Sequence, residues 1–159
     1  PLSANRSMLG LLDLPAVLEL RVGQEGARYV ALTGMEEGKL LLTIDGTSVA
    51  IEPAFLDHFW LGEAHILWKD FEGLGPTFGR EGRGVPVSRL QGLLQHAGMY
   101  AGRQSGEWDL ATDTAVLDFQ RARRLDVDGR VGRLTRIVLY AAAGGYPRPT
   151  LVGTPGGPS

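Results

Sequence analysis

The chain has 159 residues, which is enough for one domain or for two small ones. Its hydrophobic fraction of 43% is typical of a folded protein and argues against general disorder. The chain has no cysteine, which excludes disulfides, a thiol nucleophile and a cysteine-based zinc site. No apolar run reaches the roughly 18 residues that a membrane-spanning helix needs, so no membrane segment is expected here.

The net charge of −2 conceals an uneven distribution along the chain. Residues 1–84 carry seven basic and twelve acidic side chains, whereas residues 85–140 carry eight basic and six acidic ones. This difference predicts two units with different surfaces. The second unit is too weakly basic to make nucleic acid the preferred partner.

Residues 1–71 contain short runs rich in Val, Leu and Ile, which are typical of strands. The sequence Asp45-Gly46 marks a tight turn between two of them, and Pro53 suits the first turn of a short helix that reaches Trp60. We therefore predict an α+β unit with a small antiparallel sheet of about five strands, and we expect Trp60 and Trp68 in its core. The predicted strands are Ala16–Val22, Arg28–Thr33, Lys39–Asp45, Ser48–Ile51 and Ile66–Trp68.

Residues 72–84 contain five glycines and one proline without an apolar period, which predicts a linker. Residues 144–159 are similarly rich in glycine and proline and are predicted to form a flexible tail. Between them, residues 85–143 show apolar positions spaced three and four apart in three stretches, as in helices. The expected helices centre on Val87–Ala97, Ala115–Ala122 and Leu134–Ala141, with Asp109 or Thr112 as the cap of the second.

The landmarks of these three helices occur in a characteristic order. They are Leu90-Gln91, then Gly106-Glu107-Trp108, Thr112, Ala115-Val116 and Phe119-Gln120, and finally Asp128-Gly129. This ordered set resembles the peptidoglycan-binding domain family found on many wall hydrolases and wall-anchored proteins. The resemblance implies a small three-helix bundle that binds a glycan strand or a stem peptide without catalysing a reaction.

Residues 1–71 are similar to the later half of the papain-like C39 peptidase family. The similarity lies in Leu14–Leu20, Tyr29–Gly34, Phe59–Gly62 and Ile66–Trp68. Arg28 occupies the position of the family's catalytic His, and an always-protonated guanidinium cannot act as a base. The resemblance therefore implies an inactive, degenerate peptidase segment.

Such a segment followed by a peptidoglycan-binding module is similar to the periplasmic end of the general secretion pathway protein A family. That resemblance implies an inner-membrane ATPase that helps insert the type II secretion secretin through the wall. Its ATPase and membrane segments would lie upstream of Pro1. The resemblance also implies a periplasmic location and other secretion-system envelope proteins as partners. It allows homo-oligomers formed through the parent protein.

Six residues are candidates for ligand binding in the second unit: Tyr100, Arg103, Gln104, Trp108, Asp113 and Arg121. Trp108 either covers the open end of the bundle or stacks on a sugar. Tyr100, Arg103 and Gln104 lie in a loop that is either simply solvated or suited to the carboxylates and amides of wall peptides. Arg121, with Arg123 and Arg124, forms either a solvated basic face or an anion-binding one.

No cofactor or metal site is predicted. His58, His65 and His96 are widely spaced and lack carboxylates at ligand spacing. Asp126 and Asp128 resemble half of a calcium loop, but the remaining acidic ligands are missing.

The function expected from these features is non-catalytic anchoring of a secretion-assembly protein at the cell wall. Two alternatives remain open at this point. The chain could instead be a docking domain of an envelope complex, or the wall-targeting region of a peptidoglycan hydrolase.

Overall fold

The structure is a computed structural model that describes residues 2–3, 5–23 and 26–152. The chain divides into two compact units. The first runs up to Trp68 and includes the later segment that begins at Arg148, and the second is Lys69–Pro147. The fold class is α+β, as predicted.

The first unit contains an antiparallel sheet, in which the described residues form six strands ordered β1-β6-β2-β3-β4-β5. One more strand is therefore present than predicted, because the two-residue β1 pairs with β6 at the edge. The strands are β1 (Leu2–Ser3), β2 (Ala16–Arg21), β3 (Ala27–Glu36), β4 (Lys39–Ile44), β5 (Thr47–Ile51) and β6 (Trp60–Ile66). The predicted turn Asp45-Gly46 joins β4 to β5, and both residues have the positive φ that such a hairpin turn requires. Between β2 and β3, Gln24 and Glu25 lie outside the described residues.

Two helices belong to this unit: α1 (Arg6–Leu12) and α2 (Pro53–Leu56). Helix α1 was not predicted, and it begins where the side chain of Asn5 accepts a hydrogen bond from the Met8 N–H at 2.8 Å. The predicted helix from Pro53 to Trp60 ends earlier, since Trp60 opens β6 and donates its indole N–H to the carbonyl of Glu63.

The last predicted strand is shifted toward the N-terminus, because residues 60–66 rather than Ile66–Trp68 pair with β2. Trp60 lies in the core as expected, at 7% exposure, whereas Trp68 is only half-buried. The core also contains large aliphatic side chains from both helices and three strands. These are Leu9, Leu18, Leu32, Leu40, Leu42 and Leu56, together with Leu151.

Leu151 belongs to the segment predicted to be part of a flexible tail, yet it is 2% exposed. Its N–H donates to the Asp13 carboxylate at 2.9 Å, and its carbonyl accepts from the Met35 N–H at 2.7 Å. Arg148 forms an ion pair with Asp13 at 3.2 Å. Residues 148–152 are therefore a structural part of the first unit, and the predicted tail region 153–159 lies outside the described residues.

The second unit contains three helices, α3 (Val85–His96), α4 (Leu110–Ala122) and α5 (Arg133–Ala143). They lie where the apolar spacing predicts them, and α4 is capped by Asp109. Their core includes Val87, Leu90, Leu94, Val116, Phe119, Val131, Ile137 and Leu139, all at most 3% exposed. Within the part of the chain that the structure describes, no helix is long and apolar enough to cross a membrane.

Residues 72–84, predicted as a linker, pack into this second unit. Leu74 and Phe78 are buried there, at 1% and 9% exposure. The Val131 N–H donates to the Phe78 carbonyl at 2.7 Å, and Asp70 pairs with Arg136 on α5 at 3.1 Å. Glycines make this stretch look like a linker, but its few apolar side chains complete the core of the bundle.

Candidate functional site

Helix α4 begins at a side-chain cap that also places two of the predicted site residues. The Asp109 carboxylate accepts hydrogen bonds from the Thr112 N–H at 2.8 Å and from the Thr112 hydroxyl at 2.7 Å. This satisfies a first-turn N–H that has no partner within the helix. Trp108 consequently precedes the helix, and Asp113 lies in its first turn.

Asp113 and Trp108 are brought together, with Arg80 as a third member. Nε and Nη2 of Arg80 each donate to the Asp113 carboxylate at 2.7 Å, and Trp108 Nε1 donates to the same carboxylate at 3.1 Å. The Asp113 side chain is 9% exposed, whereas that of Arg80 is 76% exposed. The Trp108 ring packs edge-on against Phe78 at 6.0 Å between centroids. These contacts favour the interpretation of Trp108 as a ring that covers the end of the bundle.

The hydrogen bonds from Arg80 lower the pKa of Asp113 below its usual 3.8, with a further contribution from Trp108 and against the effect of burial. Because the folded-state pKa is lowered, this carboxylate stabilises the folded state at neutral pH, and that contribution is lost as the pH falls through the folded pKa. We expect the indole N–H resonance of Trp108 to titrate with a midpoint below 3.8. In Arg80→Gln the midpoint should rise, and NMR spectra recorded against pH measure both values. A midpoint unchanged by Arg80→Gln would contradict the assigned cause.

A groove of about 590 Å³ lies between one face of α4 and the loop that follows α3. A volume of this size falls within the range of ordinary ligand pockets. Most of its lining side chains are small or apolar. The lining residues are Met99, Tyr100, Ala101, Gly102, Leu110, Ala111, Thr114, Ala115 and Asp118.

Three predicted site residues lie in the loop beside this groove. Tyr100 lines the groove but is buried, at 9% exposure, and its hydroxyl donates to the Arg103 carbonyl at 3.0 Å. The Arg103 side chain is exposed. Gln104 is also exposed and donates its amide to the Gln95 side chain at 2.7 Å. Of these three, only Tyr100 is among the residues that line the groove.

Arg121 lies near the groove through its partner, Asp118. Arg121 Nη1 donates to the Asp118 carboxylate at 2.5 Å, an ion pair three residues apart on α4. The six candidates thus separate into two places. Trp108 and Asp113 form a cluster with Arg80, whereas the other four lie in or beside the groove: Tyr100, Arg103, Gln104 and Arg121. Asp113 is on a different face of α4 from Ala111, Thr114 and Asp118, as the helical spacing requires.

Sequence reasoning missed Arg80 because it lies in the predicted linker, and it missed Asp118 and the alanines of the groove. A signal for the groove was present: Leu110, Ala111, Thr114 and Asp118 recur at helical spacing, and all four are exposed. Ala111 and Thr114 are small, so they leave space beside the helix. Whether a loop closes that space into a groove depends on the tertiary structure.

The two glutamines of the sequence signature, Gln91 and Gln120, are buried and play similar structural roles. The side-chain amide of Gln91 donates to the Glu107 carbonyl and to the Thr112 hydroxyl, both at 2.9 Å, and its oxygen accepts from the Gly106 N–H at 3.0 Å. Gln120 donates to the Arg130 carbonyl at 3.0 Å and accepts from the Gly129 N–H at 2.9 Å. Each glutamine therefore fixes a glycine turn that precedes the next helix.

His58 and His96 each form a hydrogen bond with a backbone carbonyl four residues earlier. His58 Nδ1 lies 3.0 Å from the Ala54 carbonyl oxygen, and His96 Nδ1 lies 2.8 Å from that of Gly92. Among the residues that the structure describes, no three His, Asp or Glu side chains are grouped so that they could hold a metal ion.

Comparisons with known proteins bear on the resemblances drawn from the sequence. Residues 83–139 match the family model described as "Putative peptidoglycan binding domain". This confirms the first resemblance over nearly the predicted range. The C39 peptidase resemblance of the first unit stays a prediction.

The chain is 28% identical over 148 residues to general secretion pathway protein A of Aeromonas hydrophila, which covers 93% of this chain and 27% of that protein. It is 25% identical over 144 residues to "Putative general secretion pathway protein A" of Escherichia coli (strain K12), covering 89% of this chain and 29% of that protein. The chain therefore spans less than a third of the length of these curated relatives.

A solved structure has a similar fold at a TM-score of 0.56 and 23% identity, covering 93% of this chain and 65% of that one. It is a periplasmic domain of the EpsAB fusion protein of the Vibrio vulnificus type II secretion system. The chain thus carries a match to the peptidoglycan-binding domain family in its helical unit and is similar, along most of its length, to general secretion pathway protein A.

Proposed function

We propose that this chain is a non-catalytic peptidoglycan-binding region of a type II secretion assembly protein, located in the periplasm. The observation that carries the proposal is the family match over residues 83–139, which covers the helices that form the groove of about 590 Å³. The relatives named general secretion pathway protein A support the link to secretion. Binding at the wall would anchor or position the parent protein for insertion of the secretin.

The assignment of a binding rather than a catalytic role has support from the residues themselves. The chain has no cysteine, and Arg28 lies in β3 at the position that the C39 resemblance assigns to a catalytic His. A Cys–His pair is therefore impossible in this chain. The proposed role instead needs a surface that recognises an extended polymer, and weak binding at each module would gain strength from several copies of the parent protein.

We place the peptidoglycan contact in the groove between α4 and residues 99–102. Ala111 is an exposed lining residue, so a larger side chain there fills the groove without entering the core. We expect Ala111→Phe to reduce the binding of the chain to purified sacculi at least about tenfold, the effect of about 1.4 kcal/mol of lost contact. Sedimentation of the chain with sacculi measures the bound fraction.

The matched control is Ala141→Phe, which adds the same side chain at an exposed alanine of α5 outside the groove. It should sediment with sacculi as the parent chain does. A parent chain that stays in the supernatant at low salt would refute wall binding. Equal binding by Ala111→Phe and Ala141→Phe would show that the contact lies elsewhere.

A further inference from the structure

The lining of the groove between α4 and residues 99–102 is poorly suited to sugar rings. Sugars are usually held by an exposed aromatic face, on which their apolar side stacks. Tyr100 is the aromatic residue among the lining residues, and it is 9% exposed with its hydroxyl bonded to the Arg103 carbonyl. Trp108 is not among them, and its contacts are with Phe78 and Asp113.

The same lining is well suited to a peptide that carries small side chains. Ala101, Gly102, Ala111 and Ala115 provide a floor of methyl groups and backbone, flanked by the longer side chains of Met99 and Leu110. Leu110 is 81% exposed, so a ligand that covers it removes a large apolar area from water. The methyl groups of alanine residues in a peptide can pack on such a surface, because methyl groups need no hydrogen-bond partner.

The rim of the groove carries one acidic and one basic group side by side. Asp118 lines the groove, and its partner Arg121 follows one turn later on α4. Their side chains are 51% and 65% exposed, so this ion pair contributes little to stability and can be opened at little cost. A ligand that carries an ammonium and a carboxylate on the same carbon would replace this one ion pair with two, one to Asp118 and one to Arg121.

We propose that this groove binds the peptide part of peptidoglycan, with Asp118 accepting a free ammonium and Arg121 donating to a free carboxylate on the same carbon of that peptide. An uncross-linked stem peptide carries such an ammonium and carboxylate on one carbon when its diamino acid is diaminopimelate. The inference rests on the proposed function, because it assumes that the groove is where the wall is bound. It adds the ligand class and the two side chains that recognise it.

Three ligands test the inference with the complete 159-residue chain. The first is a stem tetrapeptide with diaminopimelate, the second is the same tetrapeptide with lysine, which lacks the second carboxylate, and the third is a tetramer of N-acetylglucosamine. We expect the first peptide to bind at least about tenfold more tightly than the second, and the sugar to leave the groove resonances unmoved. Titrations followed by NMR chemical shifts of Ala111, Thr114 and Asp118 give each Kd.

Two variants separate recognition from a general effect of charge. Asp118→Asn combined with Arg121→Gln should abolish the preference for the diaminopimelate peptide. The control, Glu81→Gln combined with Arg130→Gln, removes another exposed ion pair of the same unit whose residues do not line the groove, and should keep the preference. Circular dichroism checks that both variants remain folded.

The outcomes distinguish the inference from the proposed function. If sacculi retain the chain but the two peptides bind equally, or the sugar moves the groove resonances instead, the inference is overturned and wall binding stands. If the Asp118/Arg121 variant keeps the preference, these side chains are not the ones that recognise the ligand. If sacculi fail to retain the parent chain, the proposed function fails and the inference fails with it.

Discussion

Replacing Leu151 with Ala is expected to destabilise the first unit by about 3 kcal/mol, the usual cost of a large-to-small change in a packed core. Leu151 is 2% exposed and lies in the core cluster with Leu32 and Leu40. It reaches this position because Asp13, Met35 and Arg148 hold the backbone around it. The substitution would leave a cavity that the strands can close only in part.

Urea unfolding monitored by tryptophan fluorescence measures this loss. A Trp108→Phe background leaves Trp60 and Trp68, which both belong to the first unit, as the reporters. The neighbouring Val152 is 61% exposed, so Val152→Ala is the matched control and should change the free energy of unfolding by less than about 0.5 kcal/mol. Equal effects of the two substitutions would contradict the position of Leu151 in the core.

Gln91→Leu is expected to destabilise the second unit by about 3 kcal/mol, because it replaces a buried hydrogen-bonding group with an apolar one of similar size. The substitution leaves the buried N–H of Gly106 without its acceptor, and it removes the donor that the Glu107 carbonyl and the Thr112 hydroxyl share. The backbone at Gly106 lies close to that of Gly84, since an added Cβ would be 3.0 Å from the Gly84 carbonyl oxygen and the Gly84 N–H donates to the Gly106 carbonyl at 2.7 Å. The loop before α4 should therefore loosen together with the helix cap.

Thermal unfolding followed by circular dichroism at 222 nm reports mainly on the three long helices of this unit. Gln104→Leu is the control, because it makes the same chemical change at an exposed glutamine of the same loop. Its effect should stay below about 0.5 kcal/mol. A Gln91→Leu protein as stable as the control would mean that the turn does not depend on this side chain.

The elements with regular apolar spacing could be predicted from the sequence. In α3, α4 and α5 the periodicity follows from the burial of one helix face, and that burial depends little on which neighbour covers it. The hairpin at Asp45-Gly46 was predictable for a local reason as well, since few residue pairs accept two positive φ angles in succession. Helix α1 has no such signal, because Gly10 interrupts a short segment in which only Leu9 and Leu12 are buried.

The arrangement of the candidate site depends more on the tertiary structure than the helices and strands do. The signature residues Gln91 and Gln120 identify the family, but they are buried and fix turns rather than contact a ligand. Of the predicted site residues, Tyr100 lines the groove, and Arg121 pairs with Asp118, which also lines it. That they contact a ligand stays a prediction. The residue type of Asp113 could not show that its carboxylate would form an ion pair with Arg80.

By itself, then, the sequence determined the three helices of the second unit, most strands, the absence of thiol chemistry and the resemblance to a peptidoglycan-binding domain. These depend on local spacing and on residue types. The tertiary structure decided that residues 72–84 and 148–152 are structural parts of the two units rather than linker and tail. The physical reason is that a few buried side chains, Leu74, Phe78 and Leu151, outweigh the flexibility of the glycines and prolines around them. It also decided which small residues of α4 face a loop and so form a groove.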